Sequence, residues 1–246
     1  MGKKLIKKNI QSLRLLKEAG VTDNLSEIPV NRFKIKESNL KKNNENHLEL
    51  MSLKTERQLS KIKTLADLRD YVNNFKGCAL YKDATNVVFS DGNPESKIML
   101  IGEAPGHDED IEGKPFVGRS GKLLDKMLEA INLNREKVYI SNIIPWRPPA
   151  NRKPLEEEIQ ICLPLIHKHI ELINPEVLLL LGSTSTYAIL KDKTPITKIR
   201  GKWFSLNING KNIQTMPTFH PAFLLRQQKQ KKYVWEDLQN VRDKIK

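Results

Sequence analysis

The loop at residues 102–118, GEAPGHDEDIEGKPFVG, combines acidic side chains with an aromatic ring. Glu103 directly follows an apolar run, and Glu109 lies a few residues further on among other acidic side chains. Phe116 belongs to an apolar tripeptide in a place where a surface loop is normally polar. The loop lacks the Gly-Lys-Ser/Thr ending of a phosphate-binding loop. An ordinary acidic loop facing solvent is the alternative, and it leaves the apolar patch at Phe116 unexplained.

Two further loops carry polar side chains near predicted strand ends. Asn142 lies in the segment SNIIPWRPPANRKP, residues 141–154, and His220 lies in TFHPAFLLR, residues 218–226. Taken singly, each has a structural explanation, since asparagine is a common turn former and a lone histidine at a strand end is more often structural than catalytic. The functional alternative is that a fixed amide reads the edge of a planar ligand while the imidazole serves catalysis. The functional interpretation gains weight only when the loops are taken together.

Strands and helices alternate along the chain after about residue 60, which predicts an α/β fold. Two apolar runs, 97–101 and 176–181, are nearly continuous, as is typical of parallel strands covered on both faces. The pattern predicts a three-layer α/β/α sandwich around a mainly parallel central sheet, with ligand sites at the carboxyl ends of its strands. The predicted strands are 86–89, 97–101, 138–144, 176–181, 203–208 and 213–217, and the predicted helices are 120–131, 155–173, 183–190 and 231–245.

The beginning of the chain differs from the remainder in charge and pattern. Residues 1–66 hold 15 Lys and Arg against 7 Asp and Glu, within a total net charge of +13. A short helical pattern is followed by a polar stretch without a sustained period. We therefore predict a basic N-terminal helix and flexible arm over residues 1–60 and a globular domain over residues 61–246, with Thr64 as a helix N-cap. A basic arm suits a polyanion such as nucleic acid, although a generally lysine-rich chain is the alternative.

Composition excludes several classes of protein. No apolar run approaches the roughly 20 residues of a membrane-spanning helix. The N-terminal segment MGKKLIKKNI lacks the continuous apolar core of a signal peptide. Two cysteines in 246 residues do not make a disulfide framework. We therefore expect a cytoplasmic protein that does not bind membranes.

An ordered set of motifs resembles one known family. The motifs GEAPG, ED, PFVGRSG, NII…RPPANRKP, LGSTS, RGKW and HPAFLLR follow one another over roughly residues 70–230. The set resembles the family-four, thermostable-type uracil-DNA glycosylases of the uracil-DNA glycosylase superfamily; each motif is weak alone, but the order is specific. The resemblance implies the glycosylase fold for the domain at residues 61–246. It also implies an enzyme that flips deoxyuridine out of DNA and hydrolyses its N-glycosidic bond in base excision repair.

The resemblance further implies a uracil pocket formed by the three loops. Phe116 would stack on the uracil ring, and the Asn142 amide would accept from N3–H and donate to O4, a pattern that rejects cytosine. Ala104 can offer the base only its backbone. His220 would donate a hydrogen bond to O2 and so stabilise the negative charge that grows on the departing uracil, for which a neutral imidazole suffices.

The resemblance also implies residues around the pocket. Glu103 and Glu109 are the carboxylates for orienting the attacking water, and the sequence leaves open which of the two matters more. Asn151 would brace the pocket, a leucine of HPAFLLR would fill the space left by the flipped base, and arginines would bind backbone phosphates. The residues implied for these DNA contacts are Leu224, Leu225, Arg119, Arg147, Arg152 and Arg226. We expect a monomer acting on uracil-containing DNA, single- or double-stranded.

The chain departs from the family at the usual four-iron four-sulfur cluster. Of the four cysteine positions only Cys78 and Cys162 remain; Phe75 occupies the third, and Pro145-Trp146 replaces a Lys-Cys pair. A normal cluster needs four thiolates, so we predict no metal cofactor. The two thiols should then lie close together and buried, with the aromatic side chains filling the vacated volume.

Three alternatives to a hydrolytic glycosylase are weighed. A non-catalytic DNA-binding relative is disfavoured because the pocket residues are intact. A covalently trapping relative uses a histidine on an extra basic insertion, which this chain lacks between Gly106 and Phe116, and His107 lies in a different place. A nucleotide hydrolase on a flavodoxin-like sheet would need a metal-ligand cluster or a phosphate loop, and neither pattern is present in the sequence.

Overall fold

The computed structural model describes residues 52–245 of the chain. The predicted basic arm therefore lies outside the described residues up to residue 51. Residues 52–59 are helical, and Leu59 is buried in the hydrophobic core. The Tyr71 hydroxyl donates to Gln58 Oε1 at 2.7 Å, which ties this helical segment to the next helix. The packed domain thus begins before the predicted boundary at residue 60.

Within the described residues 52–245, six strands form a single sheet: β1 (Asp91–Gly92), β2 (Ile98–Gly102), β3 (Tyr139–Asn142), β4 (Val177–Leu181), β5 (Phe204–Ile208) and β6 (Lys211–Thr218). Their order in the sheet is β1-β3-β2-β4-β6-β5. The four central strands are parallel, and the two edge strands pair antiparallel. Every residue of the two strands that coincide with the continuous apolar runs is buried, because helices cover both faces of the sheet there. The mainly parallel sheet is therefore confirmed.

The helices complete the two outer layers. Thr64 caps the helix that begins at Leu65, since its hydroxyl accepts from the backbone N–H of Asp67 at 3.1 Å, as predicted. Among residues 52–245, no helix combines the length and the apolar composition needed to cross a membrane. The helices are α1 (Leu65–Asn74), α2 (His107–Glu112), α3 (Arg119–Glu129), α4 (Glu156–Ile173), α5 (Ser183–Leu190), α6 (Ile196–Ile199), α7 (Pro221–Arg226) and α8 (Lys231–Lys244).

Three local predictions were wrong, for identifiable reasons. Residues 86–89 form no strand; the Val88 N–H instead donates to the carbonyl of Pro145 from an irregular segment. Helix α2 lies inside the acidic loop, where glycines and charges obscured a helix of only six residues. Helix α7 begins at Pro221, because proline is favourable at the first helical position, whereas the sequence analysis had placed no helix there.

Alternate residues along the central strands pack into two separate cores, one on each face. Met99 and Ile101 of β2 face the core formed with α1 and α4. Ile98 and Leu100 face the core formed with α3 and α8. The period of two that separates these side chains is the pleat of a strand with both faces buried. The result is the predicted three-layer α/β/α sandwich.

Candidate active site

The carboxyl ends of the four parallel strands border one cavity of about 700 Å³. Adjacent strands end at the same edge of the sheet, so the residues that follow β2, β3, β4 and β6 meet there. The cavity brings together most of the residues predicted from the sequence: Glu103, Ala104, Glu109, Phe116, Asn142, Asn151, Arg152, His220 and Arg226. Four predicted residues do not line it: Arg119, Arg147, Leu224 and Leu225.

The last residue of β3 presents an unsatisfied hydrogen-bond acceptor to this cavity. Asn142 is 5% exposed, and its Oδ1 is the one fully buried side-chain polar atom without a hydrogen-bond partner in the described residues 52–245. A buried polar atom left unpaired costs about 1–3 kcal/mol. A ligand that donates a hydrogen bond to this oxygen would remove that cost.

A glycine at the end of β2 makes room for the amide and for an aromatic ring. A Cβ atom on Gly102 would lie 2.4 Å from Asn142 Oδ1 and 2.6 Å from Phe116 Cζ, and both distances are shorter than a contact allows. Phe116 is 5% exposed, and its ring centroid lies 5.6 Å from that of His220 at an interplanar angle of 30°. The amide, the phenyl ring and the imidazole therefore line the same space.

His220 is held as a neutral hydrogen-bond donor. It caps helix α7, and its Nδ1 accepts from the backbone N–H of Ala222 at 3.1 Å. Burial lowers the pKa of His220 to about 4, and the positive charge of Arg226 acts in the same direction. Since Nδ1 is an acceptor, the proton of the neutral imidazole lies on Nε2.

The two candidate carboxylates have different surroundings. Glu109 is 7% exposed, and its carboxylate accepts from the backbone N–H groups of Gly106 at 3.1 Å, Val117 at 3.1 Å and Gly118 at 3.0 Å. Glu103 lines the cavity half-buried, and its carboxylate has no hydrogen-bond or ion-pair partner among the residues described. The geometry therefore favours Glu103 as the carboxylate free to orient a water, and it gives Glu109 the contacts of a residue that holds the loop; the catalytic role of each carboxylate stays a prediction.

The two leucines predicted as a wedge differ in exposure. Leu224 is 1% exposed and belongs to the core packed against α3 and α8, so it cannot insert elsewhere without leaving that core. Leu225, on the neighbouring position of α7, is half-buried. The burial of Leu224 disfavours the wedge role predicted for it, and Leu225 is the more exposed of the two leucines; which of them acts as the wedge stays a prediction.

The arginines predicted to bind phosphates also differ from one another in their surroundings. Arg147 Nε donates to Asn151 Oδ1 at 2.8 Å, which supports the bracing role predicted for that asparagine. Arg152 forms a two-pronged pair with Glu158 at 2.8 and 2.6 Å. Both guanidinium groups are thus engaged within the protein, a finding that disfavours their predicted role in binding phosphates. Arg119 and Arg226 are exposed, and Arg226 also lines the cavity.

Several residues of the site were given no role from the sequence alone. Gly182, in the LGSTS motif, directly follows β4 with a φ of 100°, and a Cβ atom there would lie 3.0 Å from the His220 Cβ. The motif itself was the available indication. Phe219 and Phe223 line the cavity with ring centroids 4.9 Å apart. The sequence does not mark these two phenylalanines as site residues, because aromatic residues near a histidine are equally common in hydrophobic cores.

The positions at which the resembled family holds an iron–sulfur cluster do not fit one here. Phe75 and Trp146 occupy two of the four positions, and their rings stack with centroids 6.1 Å apart and an interplanar angle of 19°. Cys78 and Cys162 are both fully buried. A hydrogen bond from Cys162 lowers the pKa of the Cys78 thiol, and burial raises that of Cys162. The donor set is two thiols where a four-iron cluster requires four thiolates.

Comparison with known proteins gives a consistent family. The model of the Uracil DNA glycosylase superfamily matches residues 89–239. A Type-4 uracil-DNA glycosylase of Saccharolobus solfataricus is 42% identical over 183 residues, covering 72% of this chain and 85% of that protein. The Type-4 enzyme of Sulfurisphaera tokodaii is 40% identical over 185 residues, covering 73% and 84%. That of Thermotoga maritima is 40% identical over 178 residues, covering 71% and 91%.

Proposed function

The chain belongs to the uracil-DNA glycosylase superfamily, and from this premise we propose that it removes uracil from DNA in base excision repair. Its partner is DNA, and the reaction is hydrolysis of the N-glycosidic bond. One observation carries the proposal: the unpaired Oδ1 of Asn142 lies beside the ring of Phe116 in the cavity. An acceptor next to a stacking face suits a flat base that carries an N–H donor.

Uracil satisfies this arrangement with its Watson–Crick edge. Its N3–H donates to Asn142 Oδ1, and its O4 accepts from Nδ2 of the same amide. Cytosine presents an acceptor at N3 and a donor at N4, so it would leave the buried amide unpaired. Stacking on an aromatic ring contributes about 1–3 kcal/mol per base, comparable with the few kcal/mol needed to extrude a base from the helix.

The reaction breaks one bond and forms one. The C1′–N1 bond breaks with its electron pair passing to uracil, whose negative charge is stabilised by the Nε2–H of His220. A water oxygen bonds to the sugar C1′ as positive charge develops there, and its proton passes to the carboxylate of Glu103. Glu103 also stabilises the sugar cation by its charge. The immediate products are an abasic site and the uracil anion, which becomes free uracil by taking up one proton while protonated Glu103 gives one up.

We expect the protein to excise uracil, and we expect the carboxylates of Glu103 and Glu109 to contribute unequally. The purified protein should release uracil from single- and double-stranded oligonucleotides. Glu103→Gln should slow single-turnover excision about 10²–10⁴-fold, because it removes a positioned base, while leaving the melting temperature unchanged. Glu109→Gln should lower the melting temperature as well as the rate, since its carboxylate holds three backbone N–H groups.

Other outcomes of the same assay have definite meanings. No excision by the folded wild-type protein would contradict the proposal and favour a DNA-binding relative without activity. A protein–DNA product that survives denaturation would favour covalent trapping. Equal rate losses for the two variants at unchanged melting temperature would contradict the assignment of Glu103.

We propose further that the chain folds without an iron–sulfur cluster. The stacked rings of Phe75 and Trp146 support this, since the two aromatic side chains take the places of two cysteines. Trp146 is 2% exposed, and a Cβ atom on Gly77 would lie 2.5 Å from Phe75 Cζ, so the rings are closely packed. Packing of these rings contributes the local stability that metal–ligand bonds would otherwise contribute.

Anaerobically purified protein should therefore contain less than stoichiometric iron and show no absorbance band near 400 nm. Trp146→Ala should lower the free energy of unfolding by about 3–5 kcal/mol, because a large buried side chain leaves a cavity. Iron content and denaturant unfolding measure the two effects. One cluster per chain in active protein would overturn the proposal.

The finer statements about partners stay predictions. Leu225 is half-buried, and Arg119 and Arg226 are exposed, which supports the proposal that Leu225 fills the helix after base flipping and that the two arginines bind phosphates. Action as a monomer, a cytoplasmic location and acceptance of both single- and double-stranded DNA also stay predictions.

A further inference from the structure

The backbone of the stacking residue adopts an unfavourable conformation that its neighbours must maintain. Phe116 has a φ of 55°, in the left-handed region, which is rare for residues other than glycine, asparagine and aspartate. Such conformations persist only when the surrounding structure determines them. The question is therefore which contacts fix this peptide, because they also fix the direction of the ring.

Arg135 holds the two carbonyl groups of this turn. Its Nη1 donates to the carbonyl of Pro115 at 3.1 Å, and its Nη2 donates to the carbonyl of Phe116. The planar guanidinium suits this, because its N–H groups lie in a fixed fork. Arg135 lies in a short 3-10 turn just before β3, 19 residues away from Phe116 in the chain.

Two carboxylates hold the guanidinium in place. Arg135 Nε donates to Asp125 Oδ1 at 2.8 Å, and Nη1 also contacts Asp91 Oδ2 at 2.6 Å. Asp125 lies on helix α3 and Asp91 on strand β1. The side chain of Arg135 is three-quarters buried within this arrangement. The arginine thus links the stacking loop to two elements of the scaffold.

Helix α3 also approaches the same carbonyl closely. A Cβ atom on Gly121 would lie 1.7 Å from the carbonyl oxygen of Phe116, so only glycine allows this approach. The N–H groups of the next two residues, Val117 and Gly118, are held by Glu109. The turn is therefore fixed at its carbonyls by Arg135 and at its amides by Glu109.

We propose that Arg135 is a positioning residue for base recognition, which sets the ring of Phe116 in the stacking orientation before DNA binds. Arg135 does not line the cavity, so it acts on the base only through Phe116. The inference rests on the proposed function and adds to it a residue outside the pocket. A preset ring avoids ordering the loop during each encounter, which is the advantage of preorganisation.

The test is a double-mutant cycle between Arg135→Lys and Phe116→Ala, measured by single-turnover uracil excision. Lysine keeps the charge beside Asp91 and Asp125 but cannot donate two fixed parallel hydrogen bonds. We expect Arg135→Lys to slow excision about tenfold and to raise the inhibition constant of free uracil by a similar factor, with DNA affinity unchanged. In the Phe116→Ala background the same substitution should have less than a twofold effect, because the ring through which it acts is gone.

Two further variants keep the test decisive. Asp125→Asn, a milder change at a partly exposed side chain, should give a smaller loss that also disappears in the Phe116→Ala background. Arg242→Lys, an arginine on α8 outside the cavity that pairs with Asp243 at 3.0 Å, serves as the matched control and should leave excision unchanged.

The outcomes separate this inference from the proposed function. Inactive wild-type protein would overturn both. If the wild-type protein is active but the rate losses of Arg135→Lys and Phe116→Ala multiply in the double variant, this inference alone is overturned. Multiplying losses would mean that Arg135 acts through general stability, because such an effect persists when the ring is absent. If Arg135→Lys fails to fold, the Asp125→Asn cycle decides by the same criterion.

Discussion

Replacing Asn142 with alanine should reduce single-turnover uracil excision about a thousandfold. The substitution removes the amide that pairs with both N3–H and O4 of uracil, and each buried polar group left without a partner costs about 1–3 kcal/mol. Two such groups correspond to roughly 4 kcal/mol at the middle of that range, which is about three powers of ten in rate. Asn142 Oδ1 has no hydrogen-bond partner within the described protein. The melting temperature of Asn142→Ala should therefore be close to that of the wild type or higher.

A second substitution at the same position separates recognition from packing. Asn142→Asp keeps the shape and one acceptor but replaces the donor that faces O4 with an oxygen, so uracil meets repulsion there. We expect a loss of excision similar to that of Asn142→Ala, together with a smaller ratio of uracil to cytosine excision. Asn73→Ala, an exposed position on α1, is the control and should behave as wild type. Excision by Asn142→Ala within fivefold of wild type would remove the main support for the proposed function.

The position of the site could be predicted from the sequence because it depends on a general rule of parallel sheets. Continuous apolar runs identified β2 and β4, and the loops after β2, β3, β4 and β6 had to meet at one edge. Phe116, Asn142 and His220 line one cavity although the chain separates the first and last of them by more than a hundred residues. Residue types at strand ends were sufficient for that inference.

The roles of individual side chains could not be predicted where they depend on local helices. The wedge assignment treated Leu224 and Leu225 alike, because the segment after His220 was not recognised as a helix. Once a helix begins at Pro221, successive residues point about 100° apart. Leu224 then enters the core and Leu225 does not.

Partner choice among charged residues was equally beyond the sequence. Arg147 binds His107 Nδ1 at 3.1 Å across 40 residues of chain, a contact that exists only because helix α2 forms inside the acidic loop. Glu109 could not be distinguished from Glu103 for the same reason. Arg135 lies in a stretch without a recognisable motif, and it contacts the turn at Phe116 across 19 residues of chain, a pairing that residue types alone do not indicate.

Removing the imidazole should be the second large effect on catalysis. His220→Ala should slow excision about 10²–10³-fold, the usual cost of losing one donor to a developing anion. His220→Gln should recover part of the rate, because its amide can also donate. Since burial lowers the pKa of His220 to about 4, the wild-type rate should show no ionisation near pH 6.5. If the excision rate of the wild type falls with an apparent pKa near 6.5 and that of His220→Ala does not, the neutral donor is contradicted.

The same pKa predicts how stability changes with pH. An unfolded histidine titrates near 6.5, so between about pH 4 and 6.5 the unfolded chain binds a proton that the native His220 does not. The free energy of unfolding should therefore decrease as the pH falls through this range, by up to about 2 kcal/mol between pH 7 and pH 5 from this residue. His169, whose pKa burial lowers to about 3, acts in the same direction. It is present in both proteins, so its contribution cancels when wild type is compared with His220→Ala. Urea unfolding at pH 7 and pH 5 should show that the free energy of unfolding changes less with pH in His220→Ala than in the wild type. An equal change in the two proteins would mean that His220 is protonated in the folded protein at pH 5.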